Sequence, residues 1–422
     1  MIDRKIPPIF KSIEEVKVLQ AQELVLSNGV EVGYINAGTE KVLKLEIIMN
    51  AGVVDASHPA IAFAAADLID KGTDSMSANQ VATAFDTLGA YVNTEVNFDR
   101  TSLSVFCLSR NVEQVLELLL NVLLNAKFPQ KELDNYINNQ KQKMKVNLER
   151  VSYVAKKRFP ALIFGSAHPY ASTVELVDYD SLRLVDIVEF YTQKLLSKGM
   201  RVQASGDVNE QVLKLISNAF SPIELVPNSM VSFPKMVEMR ARKQYIEKPN
   251  AVQSAIRIGK SLFNRTHTDY VKMQMVSTIL GGYFGSRLMA NIREDKGYTY
   301  GIGSAIVPLK HTGYFFLTTE VGKEVKDAAL AEIYKEIKLL QEELITDQEL
   351  KLVKNYVLGS FLKSVDGPFA QMDKYQLIKD SELNYDYFER YLQTVKNLTK
   401  EEVKELANKY LQIDSLSELV VG

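Results

Sequence analysis

Phe128-Pro129-Gln130-Lys131-Glu132-Leu133 and Ile345-Thr346-Asp347-Gln348-Glu349-Leu350 decide how this chain is organised. Each hexapeptide follows an amphipathic stretch, Asn111–Lys127 in the first case and Val325–Glu343 in the second, and each opens a polar helix. The two Glu-Leu pairs lie 217 residues apart, Glu132 against Glu349. Self-similarity at a fixed offset constrains the architecture before any single element does. Working outward, Asp180–Leu195 and Leu398–Leu411 both read as capped helices, the second opened by the capping box Thr399-Lys400-Glu401-Glu402. Each leads into a short strand ending in glycine, Arg201–Gly206 and Glu418–Gly422, with the glycines 216 apart. The chain is written twice, as 1–220 and 240–422. Between them, 221–239 carries Pro222, Pro227 and Pro234 among polar spacers and reads as a linker.

The first half shows the order of elements. Glu23–Leu26, the Asn28-Gly29 turn and Val30–Asn36 predict a hairpin. Leu43, Leu45 and Ile47 alternate with polar neighbours as in a half-buried strand. Helices are expected near His58–Lys71 and Asn79–Leu88, strand character over Gly89–Leu108, and mostly helix from there to Leu195. Strands that pair early with helices stacked afterwards predict an α+β fold. Each half should be a mainly antiparallel sheet covered on one face by helices.

Composition narrows the function. A length of 422 residues exceeds one ordinary core, and 46% hydrophobic with 24% charged residues excludes extensive disorder. Fifty basic residues against 52 acidic ones leave a net charge of −2, no basis for nucleic acid or an anionic membrane as the main partner. Cys107 stands alone, so no internal disulfide forms, and His58, His168, His267 and His311 are too far apart for a local metal cluster. Met1–Pro8 lacks the apolar run of a signal peptide. The richest apolar window, Val115 to Leu124, is broken by Glu117 and Asn121, too short for a membrane span. A cytoplasmic location is the expectation.

Gly281-Gly282-Tyr283-Phe284-Gly285-Ser286-Arg287-Leu288 is followed by Ile292-Arg293-Glu294-Asp295-Lys296-Gly297-Tyr298-Thr299-Tyr300. This resembles the second-half signature of the pitrilysin/insulinase/mitochondrial processing peptidase family: a Gly-Gly turn, Ser-Arg-Leu, and Ile-Arg with a tyrosine seven residues after the arginine. Leu26–Val30, Lys71-Gly72-Thr73, Leu88–Asn93, Phe164-Gly165 with His168-Pro169-Tyr170, and Ser205–Val208 are similar to the same family in order and spacing. The resemblance implies two duplicated α+β halves facing each other across a chamber. In active members the first helix carries His-x-x-Glu-His, two zinc ligands and a general base, with a further glutamate ligand on a later helix. Counted back from Lys71-Gly72-Thr73, those positions are Phe63, Ala64, Ala65, Ala66 and Asp67, and the later helix offers Lys143. Both histidines, the base and the third carboxylate are missing. No metal is therefore expected in this chain. Asp67 and Asp70 read as a solvated helix end before a Gly72 cap, and His58 as a helix start.

The resemblance also implies roles for residues that remain. Arg293 and Tyr300 match the pair that binds the substrate backbone and stabilises the tetrahedral oxyanion, which a cation and a phenol do well at low dielectric. Arg287 matches a structural position. Gly89, Ala90, Tyr91, Val92 and Asn93 match the strand on which substrate peptide docks as an added β-strand. Two readings follow. One is the non-catalytic subunit of a heterodimeric endopeptidase, supplying Arg293 and Tyr300 in trans to a similar-length partner that bears His-x-x-Glu-His and zinc, with a homodimer possible in isolation. The other is a structural or peptide-binding scaffold with no part in proteolysis.

Overall fold

A computed structural model describes residues 13, 16–196, 199–224, 233 and 240–422. Met1–Pro8 and most of the 221–239 linker, Pro227 and Pro234 included, lie outside the described residues. Eleven strands form two sheets among the described residues. The first contains β1 (Gln22–Val25), β2 (Glu31–Asn36), β3 (Val42–Met49), β4 (Tyr91–Val96), β5 (Thr101–Leu108) and β6 (Met200–Gly206). The second contains β7 (Lys243–Ile246), β8 (Gln253–Leu262), β9 (Ile302–Pro308), β10 (Gly313–Gly322) and β11 (Ser417–Val421).

Their orders are β1-β2-β6-β3-β5-β4 and β7-β11-β8-β10-β9. With β1 set aside, the two are the same order. Orientations agree as well: β2 with β6 and β7 with β11 are the parallel pairs, and the other pairings are antiparallel. The duplication read from the two hexapeptides is thus a duplication of topology. Each half closes by bringing its last strand back between two early ones, β6 between β2 and β3 and β11 between β7 and β8.

Alternation along β3 explains the layering. Leu43, Leu45 and Ile47 are at most 1% exposed and join the first core, while Lys44 and Glu46 face the other side of the sheet. The core side is covered by α1 (Pro59–Leu68), α2 (Ala78–Thr87), α3 (Val112–Leu124) and α4 (Gln130–Leu148). α5 (Val151–Phe164) departs from this half, as described below; α6 (Leu176–Asp180), α7 (Leu184–Phe190) and α8 (Glu210–Phe220) return to it. In the second half α9 (Tyr270–Ser277), α10 (Lys326–Glu342), α11 (Asp347–Lys363), α13 (Asp386–Asn397) and α14 (Lys400–Tyr410) do the same, and α12 (Gly367–Asp380) departs. The Thr399 capping box opens α14 as the sequence indicates. The helix expected from Asp180 is broken instead: Asp180 ends α6, and α7 begins at Leu184 and passes into a π turn over Tyr191–Leu195.

One covered face per sheet is not what forms. α5 lies on β8 and β11 of the second sheet, and α12 lies on β2 and β6 of the first. The two halves exchange helices. Phe159, Leu162 and Ile163 of α5 pack with Ala255, Leu419 and Val421 in one apolar cluster. Met372 and Tyr375 of α12 pack with Ile35 in a smaller one. Gly33 makes room for the latter, since a Cβ there would lie 2.4 Å from the Tyr375 ring. Period-2 patterning reveals that a face is apolar but not whose helix covers it. A cavity of about 670 Å³ remains between the halves. No helix among the described residues is long and apolar enough to cross a membrane.

Candidate functional site

His58 caps α1 by accepting from the Ala60 amide, and Pro59 occupies the first turn. Along α1 the side chains of Phe63 and Asp67 face outward, Phe63 with 39% exposure, while Ala64, Ala65 and Ala66 are buried. Positions 63 and 67 therefore share the helix face that two ligands four residues apart would occupy. Although Asp67 faces outward, partial desolvation by its surroundings raises its carboxyl above its ordinary value, and Lys71 and then Lys143 oppose the rise. Lys143 thus lies within electrostatic reach of Asp67, so α4 brings its position towards the α1 face. The side chains at positions 63, 66, 67 and 143 are a phenyl ring, a methyl, a carboxylate and an ammonium. One carboxylate beside a cation does not fit Zn²⁺, which takes three or four N, S or O donors. Among the described residues no group of three His, Cys, Asp or Glu side chains is placed to hold a metal ion. His168 is no ligand either: its Nδ1 accepts from the Tyr170 amide at 3.1 Å in a buried aromatic cluster.

Arg293 lies in a π-helical turn, Met289–Asp295, that follows the Gly281-Gly282 turn. Its guanidinium stacks over Phe284 at 4.8 Å. Gly297, at φ +66°, reverses the chain into Thr299. The Thr299 hydroxyl donates to the Glu320 carbonyl (2.7 Å) and accepts from the Gly301 amide (3.0 Å) and the Thr319 hydroxyl (2.9 Å). That anchorage fixes the turn while Tyr300 projects from it with 92% exposure. The wall of the cavity between the halves contains neither Arg293, Tyr300, Phe63, Asp67 nor Lys143. The resemblance leads one to expect Arg293 and Tyr300 facing a chamber, and this cavity is not it. Arg287 forms a two-pronged ion pair with Glu349, Nε to Oε1 at 2.8 Å and Nη2 to Oε2 at 2.9 Å. It joins the Gly-Gly turn to the second hexapeptide.

Of the peptide-docking positions, Gly89 and Ala90 belong to the stop of α2 and not to a strand. Gly89 takes φ +62°, its amide donates to Asp86, and the Ala90 amide donates to Phe85. β4 begins at Tyr91 and is the outermost strand of its sheet. The Asn97 amide donates to the Arg100 carbonyl across the β4–β5 turn. Since bonded and non-bonded pairs alternate, Tyr91, Asn93 and Glu95 direct their backbone groups to β5, while Val92, Thr94 and Val96 direct theirs to the open edge.

Sequence reading missed the charged crossing between the halves. Asp380, the last residue of α12, accepts from Arg100 and from Arg201 Nη2, the latter at 3.0 Å. An arginine within the otherwise buried β6 is the one local signal for it. It also missed Phe106, on the sheet face next to Tyr91.

Comparison with known proteins agrees with this architecture. Residues 58–166 match the family model described as Insulinase (Peptidase family M16), and residues 181–357 match the one described as Peptidase M16 inactive domain. An uncharacterized zinc protease, YmxG, of Bacillus subtilis is 22% identical, over 72% of this chain and 74% of its own length. A non-peptidase homolog, YmxG, of Helicobacter pylori is likewise 22% identical, over 72% of this chain and 71% of its own. The crystal structure of a peptidase M16 inactive domain from Pseudomonas fluorescens superposes with a TM-score of 0.88 at 22% identity, covering 96% of this chain and 98% of that one. With both halves matched and the duplicated topology shared almost end to end, this chain belongs to the insulinase (M16) peptidase family, although its α1 and α4 side chains do not fit the family's zinc.

Proposed function

We propose that this chain is the non-catalytic subunit of a cytoplasmic heterodimeric endopeptidase. Its partner is a chain of similar length that carries His-x-x-Glu-His and the zinc. The observation that carries the reading is the placement of Tyr300: 92% exposed, held by a hydrogen-bonded Thr299 hub, and absent from the wall of its own inter-half cavity. A rigidly presented phenol outside the cavity between its own halves suits a site completed by a second polypeptide. Arg293 and Tyr300 supply donors to a developing oxyanion, and the open edge of β4 holds substrate peptide as an added strand.

The test is co-purification with a zinc-motif partner and comparison of wild type with Arg293→Ala and Tyr300→Phe. Loss of one oxyanion donor typically costs about 10²–10³ in turnover. Retained association with turnover lowered on that scale supports the reading. Full turnover by intact complexes refutes it, and activity lost only through dissociation favours a scaffold.

A further inference from the structure

The inner face of the first sheet carries a ladder of rings that leads inward from its open edge. Tyr91 of β4 is 65% exposed and Phe106, its direct cross-strand neighbour on β5, is 36% exposed. Their ring centroids are 6.5 Å apart, and Phe106 meets Phe369 of α12 edge to face at 5.5 Å. Lys44, on β3, lies over the Phe106 ring at 5.7 Å, so the ladder has a polar floor beyond it. Two rings come from the first half and the third from the helix that the second half contributes. The rows beside it are Asn93–Ser104–Glu46 and Glu95–Ser102–Ile48, polar on β4 and β5, the two strands next to the open edge. An exposed aromatic group on a polar sheet face is a feature that marks an interaction site.

We infer that Tyr91, Phe106 and Phe369 form a specificity subsite for a bulky apolar side chain of an extended peptide docked on β4. The inference rests on the edge-docking part of the function proposed above and adds the side-chain chemistry of the peptide. The geometry chooses this occupant. The outward-directed backbone groups of Val92, Thr94 and Val96 can be satisfied by an extended chain, which would lie about 4.8 Å from β4. Side chains of such a strand alternate between faces, so every second one lies on the face of Tyr91, and the one beside it stands over the rings. The next residue of the peptide on the same face meets the Asn93 row, where nothing favours an apolar group. One bulky apolar residue is therefore selected on this face in one register, and its same-face neighbours are not.

Fluorescence anisotropy with the full chain tests this, using two labelled dodecapeptides of alternating Thr and Ser that differ only in a central Phe or Ala. The Phe peptide should bind at least about tenfold more tightly, the worth of burying most of one ring. Phe106→Ser should reduce that preference to less than about threefold while leaving the Ala peptide unchanged, and Tyr91→Ser, on the docking strand itself, should also reduce the preference. Both substituted side chains are solvent-accessible, and circular dichroism verifies folding. Thr94→Pro removes an edge donor without touching the β4–β5 ladder and should weaken both peptides. Equal binding of the two peptides, with Thr94→Pro still weakening both, overturns the subsite and leaves edge docking standing. Failure of either peptide to bind, or binding indifferent to Thr94→Pro, overturns edge docking and the subsite with it. Self-association in sedimentation that Phe106→Ser abolishes, with peptide preference unaltered, assigns the rings to a second copy of the chain and also overturns the subsite.

Discussion

Replacing Phe159 by alanine should loosen the half of the molecule to which Phe159 does not belong in sequence. The ring is fully buried, with 0% exposure, in the cluster that α5 forms on β8 and β11. It lies 6.0 Å from the Arg257 guanidinium, which has Phe316 at 5.2 Å as its other aromatic neighbour. A buried Phe→Ala change costs about 3–5 kcal/mol through lost transfer energy and the cavity left behind. The upper part of that range is expected here. Strand backbones beneath the ring are tied into the sheet and cannot collapse into the space, and Arg257, already disfavoured as a cation by burial, loses one of its two rings. Phe159→Leu keeps most of the apolar volume and should cost less than half as much. Denaturant unfolding followed by circular dichroism gives the total, since the chain has no tryptophan to report it. Hydrogen exchange by mass spectrometry gives the location: β8 and β11 should lose protection ahead of β3 and β5. If protection falls in β3 and β5 while β8 and β11 are unaffected, the helix exchange is wrong.

Arg287→Ala leaves the Glu349 carboxylate without its two-pronged partner at a site about one-fifth exposed, and should cost about 1.5–3 kcal/mol in denaturant titration. Arg287→Lys should recover little, because an ammonium cannot supply the fork. Burial holds the His168 imidazole below its ordinary value, and its Nδ1 already accepts from Tyr170, so the cation is disfavoured in the fold. Stability from this group is full above the unfolded value of about 6.5 and falls as acid brings the pH down through the lowered folded value. His168→Asn, which keeps an acceptor at the cap, should flatten that part of the Tm-versus-pH curve between about pH 7 and 5. The α1–α4 backbone should still hold zinc once ligands are restored. Phe63→His, Asp67→His and Lys143→Glu combined should give one zinc-dependent rise in Tm per chain, against none in wild type, and stoichiometric titration without saturation near one ion would refute the retained geometry.

Much of the candidate site is visible in one dimension because its chemistry depends on short spacings. Phe63 and Asp67 four apart on one helix share a face whatever lies around them, and a methyl, a ring and a lone carboxylate are poor donors in any environment. Asn28 and Gly29 specify their turn locally: Gly29 takes φ +87° and the Asn28 side chain accepts from the Val30 amide. The strand-to-edge placement of Tyr91 is not local in this way. It follows from β5 and β3 filling the other side, and Phe369 arrives beside Phe106 from a residue more than 250 positions further along the chain. Asp380 meets Arg100 and Arg201 by the same long route.

The sequence by itself determined the duplication, the α+β class, the starts of several helices, and which residue types stand at positions 63–67 and 143. Each of these is set by periodicity, capping or residue type within a few positions, where backbone geometry dictates which side chains are neighbours. The tertiary structure alone decided which half each helix serves. The apolar residues of α5 and α12 do not assign either helix to one sheet, and the exchange depends on the room left by Gly33, on the ring of Phe159 and on the crossing charge of Asp380. Those contacts join residues far apart in the chain, and packing two sheets in three dimensions selects among partners that the local pattern leaves equivalent.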